Sequence, residues 1–180
     1  MDTDRHEAPT RSPSLHDNET CYGIGALNAH TGDLVYQQTE SATVVAPHAL
    51  YSEICLRYPN AEHIFIIQDN RPIHLHPNLL AALLPQTTSF HNPLPPSWKG
   101  KLSKKIGELA KLPIEILQLP AYALWTHPIE KLWRWVRQSV GHLHRLADDW
   151  QALQQRVMAF MQQFQGGSEK LLRYVGLLPD

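Results

Sequence analysis

Two carboxylates stand where a divalent metal ion can be held. Asp69 directly follows the apolar run His63–Gln68, which predicts a strand buried on both faces, and Glu130 lies in the first turn of a predicted helix. A strand end and a nearby helix can bring two such side chains onto one Mg²⁺ or Mn²⁺ ion, which prefers oxygen ligands. A pair of ions held in this way can stabilise the attacking and leaving oxygens of a phosphodiester, so the predicted chemistry is nucleic-acid strand cleavage.

Both residues also have purely structural explanations. Asp69-Asn70 is a common turn sequence after a strand, and Glu130 at the third helical position fits a capping box and the positive end of the helix dipole. From residue type and spacing alone, the structural explanation is favoured. A zinc site of His74, His76 and a cysteine is another alternative, although its spacing matches no usual zinc pattern.

The elements that must position these residues begin with strands and end with helices. The turn Ala29–Gly32 joins two β-rich runs into a hairpin. A helix crosses between later strands, which predicts a mixed α/β domain with at least two parallel strands and a ligand site at their carboxyl ends. The predicted strands are Cys21–Asn28, Asp33–Thr39, His63–Gln68 and Ile114–Leu119, and the predicted helices are Pro47–Arg57, Leu79–Leu84, Lys101–Leu112, Pro128–Val140, Ala147–Phe164 and Glu169–Leu177.

The helix that carries Glu130 has the clearest pattern. Pro128 fits the first helical position, and an apolar stripe runs along one side of the helix to Val140. Trp133 lies on the stripe and is predicted to be core. Trp135 lies on the other side, where it is predicted to pack on DNA or on another element, and a place in the core is the favoured interpretation.

The composition narrows the classes of protein to which the chain can belong. The 180 residues are 43% hydrophobic and 18% charged, with net charge −1 and pI near 6.8, so bulk charge gives no support for nucleic-acid binding. The chain has no apolar run long enough to span a membrane and no signal-peptide pattern at its start. Cys21 and Cys55 form no CxxC and are interpreted as buried thiols of a cytoplasmic protein.

We expect one domain with three flanking or inserted segments. Residues 1–20 are predicted to be an irregular arm, residues 21–165 the domain, and residues 166–180 a short final helix. Residues 85–113, rich in proline and lysine, are interpreted as an insertion.

Three sequence blocks, taken together and in order, are similar to those of a known family. Gly25–Tyr36 resembles a GALNxxTGxxxY block, Ile66–His74 a DNxxxH block, and Leu119–Trp135 an LPxYSxxxNPIExxWxxLK block. The chain is thereby identified as a member of the DDE-superfamily transposases, in the mariner-related group of bacterial insertion sequences.

The resemblance implies a ribonuclease H-like fold, a mixed sheet flanked by helices, that holds an Asp-Asp-Glu metal site. Asp69 matches the second Asp and Glu130 the Glu, both as catalytic residues and as ligands of Mg²⁺ or Mn²⁺. The implied reaction is cleavage and strand transfer of DNA, with transposon ends and target DNA as partners, in the bacterial cytoplasm at the nucleoid. Supporting or DNA-contacting roles are implied for Asn70, His74, Tyr122, Lys131, Arg134 and Arg137.

The chain departs from the family pattern before the hairpin. The family's first Asp lies on an opening strand, whereas only the polar, proline-broken segment Met1–Thr20 precedes the hairpin here. We therefore expect an N-terminally truncated catalytic domain that lacks its first strand, one carboxylate and the helix-turn-helix region, and that has little nuclease activity alone. We expect a homodimer, or a partner that carries the missing part. The alternative is a non-catalytic DNA-binding or regulatory fragment that pairs with a complete enzyme.

Two smaller departures lie around the Glu block. His127 replaces the asparagine that usually precedes Pro-Ile-Glu, and histidine is a poor N-cap. Asp69 and Glu130 are also farther apart than in mariner-like enzymes, and the insertion 85–113 accounts for the excess. A loop can lengthen without moving its ends, so the site is expected to tolerate it.

Overall fold

The computed structural model of the chain describes residues 20–69, 71–76, 79–80, 83, 112–120, 126–141 and 149–179. Asn70, Tyr122, most of the 85–113 segment and nearly all of the predicted N-terminal arm lie outside these residues. The described elements are β1 (Tyr22–Leu27), β2 (Leu34–Thr39), α1 (Val45–Arg57), β3 (Ile64–Gln68), β4 (Ile114–Gln118), α2 (Pro128–Val136), a π-helical turn (Arg137–Gly141), α3 (Trp150–Gln162) and α4 (Glu169–Val175).

The predicted hairpin is confirmed. Strands β1 and β2 pair antiparallel, from Tyr22 opposite Thr39 to Leu27 opposite Leu34. In the turn, Asn28 Oδ1 accepts hydrogen bonds from the amides of His30 and Thr31. Gly32 has φ of +71°, and a Cβ there would lie 2.2 Å from the carbonyl oxygen of Ser168, so the turn and the start of α4 meet only because this residue is glycine.

The predicted parallel pair is also confirmed. β3 and β4 pair in register from Ile64 opposite Ile114 to Gln68 opposite Gln118. Within the described residues this pair and the hairpin form separate two-stranded sheets, rather than the single mixed sheet that we predicted. Leu112, predicted to be helical, instead forms a parallel bridge with Leu83.

One face of the β3–β4 pair packs on α1. Ile64 and Ile66 of β3 pack against this core. Its buried side chains come from the hairpin, α1, β4 and the segment between β3 and β4: Val35, Leu50, Tyr51, Ile54, Leu79, Leu83, Ile114 and Ile116. On the opposite face, Phe65 and Ile67 are 56% and 54% exposed. The prediction that β3 is buried on both faces was therefore wrong for that face.

A second core joins β2 to the C-terminal helices. Its buried side chains are Leu34, Tyr36, Ile129, Leu132, Met161, Phe164, Leu171 and Val175, and Trp133 packs against it as predicted. Trp135 lies in an aromatic cluster, stacked on Tyr174 at 4.2 Å and edge-on to Phe160 at 5.4 Å. Trp135 also packs against this core, as the favoured interpretation predicted.

Helix α2 is shorter than its apolar stripe predicted. Regular α-helix ends at Val136, and the chain continues as the π-helical turn to Gly141, in which Val140 is still buried. A π-turn contains one more residue than an α-turn, so it changes the direction of the side chains that follow Val136.

Candidate metal and DNA site

Asp69 lies at the carboxyl end of β3, as predicted, and is 8% exposed. Its Oδ1 accepts a hydrogen bond from the Arg71 amide at 3.0 Å, and its Oδ2 lies 3.3 Å from Arg71 Nε. His74 Nε2 is 3.6 Å from Asp69 Oδ1. The only cation against this buried carboxylate among the described residues is therefore Arg71, two residues away in sequence.

The end of β3 is fixed by a short chain of buried hydrogen bonds. Tyr51 Oη donates to Gln68 Oε1 at 2.6 Å, and Gln68 Nε2 donates to the His74 carbonyl at 3.2 Å. Burial raises the pKa of Tyr51 far above its usual value, and the nearby Asp69 charge raises it further, so Tyr51 stays a neutral donor. These bonds tie α1 to the loop that surrounds Asp69.

Glu130 is in the first turn of α2 and is half-buried. Pro128 begins the helix, and the Glu130 amide donates to the His127 carbonyl at 3.0 Å. The His127 side chain makes no capping hydrogen bond, as expected for a poor N-cap. Glu130 is therefore held by the backbone start of the helix, where a carboxylate is favoured by the helix dipole.

Asp69 and Glu130 face one cavity, which we call the main cavity. It has a volume of about 650 Å³ and lies between β1 and β3, whose residues line it from Gly23 to Asn28 and from His63 to Asp69. His74 and His127 line it beside the two carboxylates. Two carboxylates that are distant in sequence thus line the same cavity.

The two histidines add polar atoms to this cavity. Burial lowers the pKa of His74; the Asp69 charge opposes this, while Arg71 and His127 lower it further. Within the described part of the chain, Nδ1 of His74 and Nδ1 of His127 are buried and have no hydrogen-bond partner. Such atoms are costly unless water, substrate or ligand satisfies them.

The donor set fits a hard cation in kind. Mg²⁺ commonly takes one or two protein carboxylates and completes its shell with water and phosphate oxygens, and Asp69 and Glu130 supply carboxylates of this type. A cation at Asp69 would compete with Arg71 for the same oxygen. The described residues contain no cluster of at least three His, Cys, Asp or Glu side chains that could hold a metal, so they lend no support to the zinc alternative.

A smaller cavity, which we call the side cavity, adjoins the first at Glu130. Its volume is about 430 Å³, and Arg71, Glu130 and Arg137 are among its lining residues. Of the three cations with a predicted supporting or DNA-contacting role, Arg137 lines the side cavity, whereas Lys131 and Arg134 line neither of these two cavities and are exposed along α2. Asn70 and Tyr122 lie outside the described residues.

Sequence reasoning missed Arg71, Tyr51 and Gln68. Arg71 follows Asp69 by two residues, and this spacing, which lets its amide and guanidinium both reach the carboxylate, was the available signal. Tyr51 and Gln68 gave no signal, because a tyrosine within a helix and a glutamine at a strand end meet only in the folded chain.

A second buried aspartate, Asp33, is 6% exposed. Its carboxylate accepts hydrogen bonds from Arg57 Nη1 at 3.0 Å, Tyr58 Oη at 2.7 Å and the Gly166 amide at 2.7 Å. These donors come from α1 and from the segment after α3, so Asp33 joins the two cores.

Comparison with known proteins places the chain in a family. The sequence model of the DDE superfamily endonucleases matches residues 3–154, and the chain belongs to that family. This confirms the DDE-superfamily part of the resemblance, while the mariner-related group remains a prediction. The α/β architecture is consistent with the ribonuclease H-like fold that we expected.

No curated protein and no solved structure matches the chain. Among the described residues, no helix has the length and apolar character needed to cross a bilayer.

Proposed function

We propose that the chain is the catalytic part of a DNA transposase, in which Asp69 and Glu130 hold divalent metal for cleavage and strand transfer. The observation that supports this proposal most strongly is that both carboxylates face the main cavity. Family membership supports endonuclease chemistry, and we propose DNA as the substrate.

We assign the following roles to the residues of the main cavity. Asp69 and Glu130 would hold an Mg²⁺ or Mn²⁺ ion, which when bound would supply charge neutralisation at the phosphodiester and activation of water. The exposed guanidinium of Arg71, which contacts Asp69, would contact the DNA backbone. His74 and His127 offer Nδ1 atoms to water or to phosphate oxygens. Water attacks first, and the freed 3′ hydroxyl then attacks target DNA.

The third carboxylate of the site would come from polypeptide outside the described residues. Among the described strands, β1 pairs with β2 and β3 pairs with β4, and residues of β1 and β3 line the main cavity. A second copy of the chain, or another chain that carries a further strand, can add a strand to the edge of such a sheet. We therefore propose that the chain alone has little nuclease activity and gains it in an assembly.

Calorimetric titration of Mg²⁺ and Mn²⁺ into the purified chain tests this proposal. We expect measurable binding in the parent and none after Asp69→Ala together with Glu130→Ala. The matched control removes two exposed carboxylates outside both cavities, Glu40→Ala with Glu62→Ala, and should bind metal as the parent does. Equal binding by the parent and the Asp69/Glu130 double variant would overturn the site.

A second candidate function is a non-catalytic DNA-binding or regulatory module. The observation in its favour is that the Arg71 guanidinium already contacts the Asp69 carboxylate. DNA binding that weakens with salt, with no metal binding and no strand cleavage, would favour it over the transposase proposal.

A further inference from the structure

The main cavity is bordered by two strands along most of their length. Every residue of β1 from Gly23 to Leu27 and every residue of β3 from Ile64 to Gln68 lines it. Because successive side chains of a strand point to opposite faces, a cavity that meets all of them lies along the edge of the strand rather than on one face. The cavity therefore runs between an edge of the β1–β2 sheet and an edge of the β3–β4 sheet.

The backbone along these two edges is available for pairing. Within the described part of the chain, residues 24–27 and 64–67 make no backbone hydrogen bonds except those to β2 and β4. The N–H and C=O groups of a strand point to both of its sides, and those on an unpaired side form a template for another strand. An extended segment in the cavity can therefore pair with β1 and β3 together.

The side walls of the main cavity are apolar on both faces of the sheets. Val35 belongs to the core around α1 and its neighbour Tyr36 to the core of the C-terminal helices, so the two cores lie on opposite faces of the hairpin. Residues packed in both cores line the cavity: Val35, Leu50, Ile54, Ile129, Trp133 and Leu177. A strand in this position would bury side chains on both faces, as apolar central strands do.

The volume of the main cavity matches one short strand. A strand residue fills about 160 Å³, since it rises about 3.3 Å, is about 4.8 Å wide and spans about 10 Å between packed layers. The cavity of about 650 Å³ thus holds about four residues of one strand. The stretches of at least ten residues outside the described ones that precede β4, 1–19 and 84–111, contain no run of four apolar residues, so neither supplies such a strand.

We propose that the main cavity binds a short extended strand of a second polypeptide, which is apolar on both faces and pairs with β1 and β3 at once. The inserted strand joins the hairpin and the β3–β4 pair into one continuous sheet. This inference rests on the proposed function, in which another chain completes the site, and it identifies the form and chemistry of the segment that this chain supplies. A second copy of the present chain fits less well, because its apolar strands β3 and β4 already pair with each other.

The test titrates a fluorescent peptide, five alternating valine and isoleucine residues between terminal lysines, into the purified chain with EDTA present. We expect saturable binding by anisotropy and a higher urea midpoint of the chain with the peptide bound. Two control peptides carry N-methyl groups on alternate residues, one set for each edge of the strand. Each should bind at least about tenfold more weakly, because insertion uses hydrogen bonds along both edges.

A charge on the cavity wall should also weaken peptide binding. Ile67→Lys is expected to lower the affinity about tenfold, since it replaces an apolar, 54% exposed side chain of the main cavity. Leu56→Lys is the matched control, at an 81% exposed leucine that lines neither cavity, and should bind the peptide as the parent does. Urea denaturation checks that both variants fold.

Three results would overturn the inserted strand: no peptide binding, tolerance of either methylated peptide, or parent-like binding by Ile67→Lys. Self-association of the parent that Ile67→Lys abolishes, without peptide binding, would assign the cavity to a second copy and overturn the proposal equally. The titrations contain neither free metal nor DNA. A failed metal titration would therefore remove the nuclease proposal and leave these results unchanged, so the two failures are distinguishable.

Discussion

Asp33 and Asp69 are the same residue type at nearly the same burial, yet their surroundings differ. Asp33 receives hydrogen bonds from an arginine and a tyrosine at the end of α1 and from a backbone amide in the segment after α3. Asp69 is contacted by Arg71, which is mostly exposed, and by a histidine beyond hydrogen-bond distance. Asp33 therefore holds the fold together, while Asp69 keeps capacity for a ligand. Burial alone does not mark a carboxylate as functional. The two aspartates differ in which elements supply their hydrogen-bonding partners and in how exposed those partners are.

The largest expected effect is at Asp33. Asp33→Asn should lower the free energy of unfolding by about 3 kcal/mol, because it leaves the Arg57 cation, which is 30% exposed, facing an amide donor. Urea denaturation followed by circular dichroism measures this. A change below about 1 kcal/mol would show that the junction is not a main source of stability.

Tyr51→Phe should have the next largest effect. It leaves the buried Gln68 Oε1 without its donor, which should cost about 1.5 kcal/mol in the free energy of unfolding. Because Gln68 precedes Asp69, metal affinity should also fall. Tyr22→Phe, at a tyrosine that is 44% exposed, is the control and should change neither quantity. Unchanged metal affinity in a destabilised Tyr51→Phe variant would separate Tyr51 from the site.

Asp69→Asn is the direct counterpart of Asp33→Asn. The free energy of unfolding should change by less than about 1 kcal/mol, because Arg71 is largely solvated and can turn to water. Metal binding, measured by calorimetry, should nevertheless be lost. If Asp69→Asn destabilised the chain as much as Asp33→Asn, the contrast between the two aspartates would fail and a structural role for Asp69 would be favoured.

The smallest expected effect is a dependence of stability on pH. The folded pKa of His74 is lowered below its ordinary value near 6.5, so the unfolded chain binds the proton more readily. This contribution to stability is present above the unfolded pKa and is lost as pH falls below it. His74→Asn should therefore lose less stability than the parent between pH ~7.5 and pH ~5.5. His30→Asn, at an exposed histidine, should follow the parent.

Part of this architecture could be read from the sequence. The hairpin, the parallel pair β3–β4 and the positions of Asp69 at a strand end and Glu130 in a first helical turn were all predicted. Local signals were sufficient for these features: a turn with glycine, apolar runs that end at polar residues, and proline at a helix start. The exposed face of β3 was not predictable, because Phe65 and Ile67 have the same apolar character as the buried Ile64 and Ile66.

By itself, the sequence determined which residues could carry the chemistry and which elements hold them, since propensity and periodicity are properties of neighbouring residues. Only the tertiary structure decided that Asp69 and Glu130 share a cavity and that Asp33 is committed to the junction of two cores. The π-helical turn that directs Arg137 to the side cavity was also decided there. The physical reason is that these contacts join residues distant in sequence, and their partners are fixed by packing rather than by local preference.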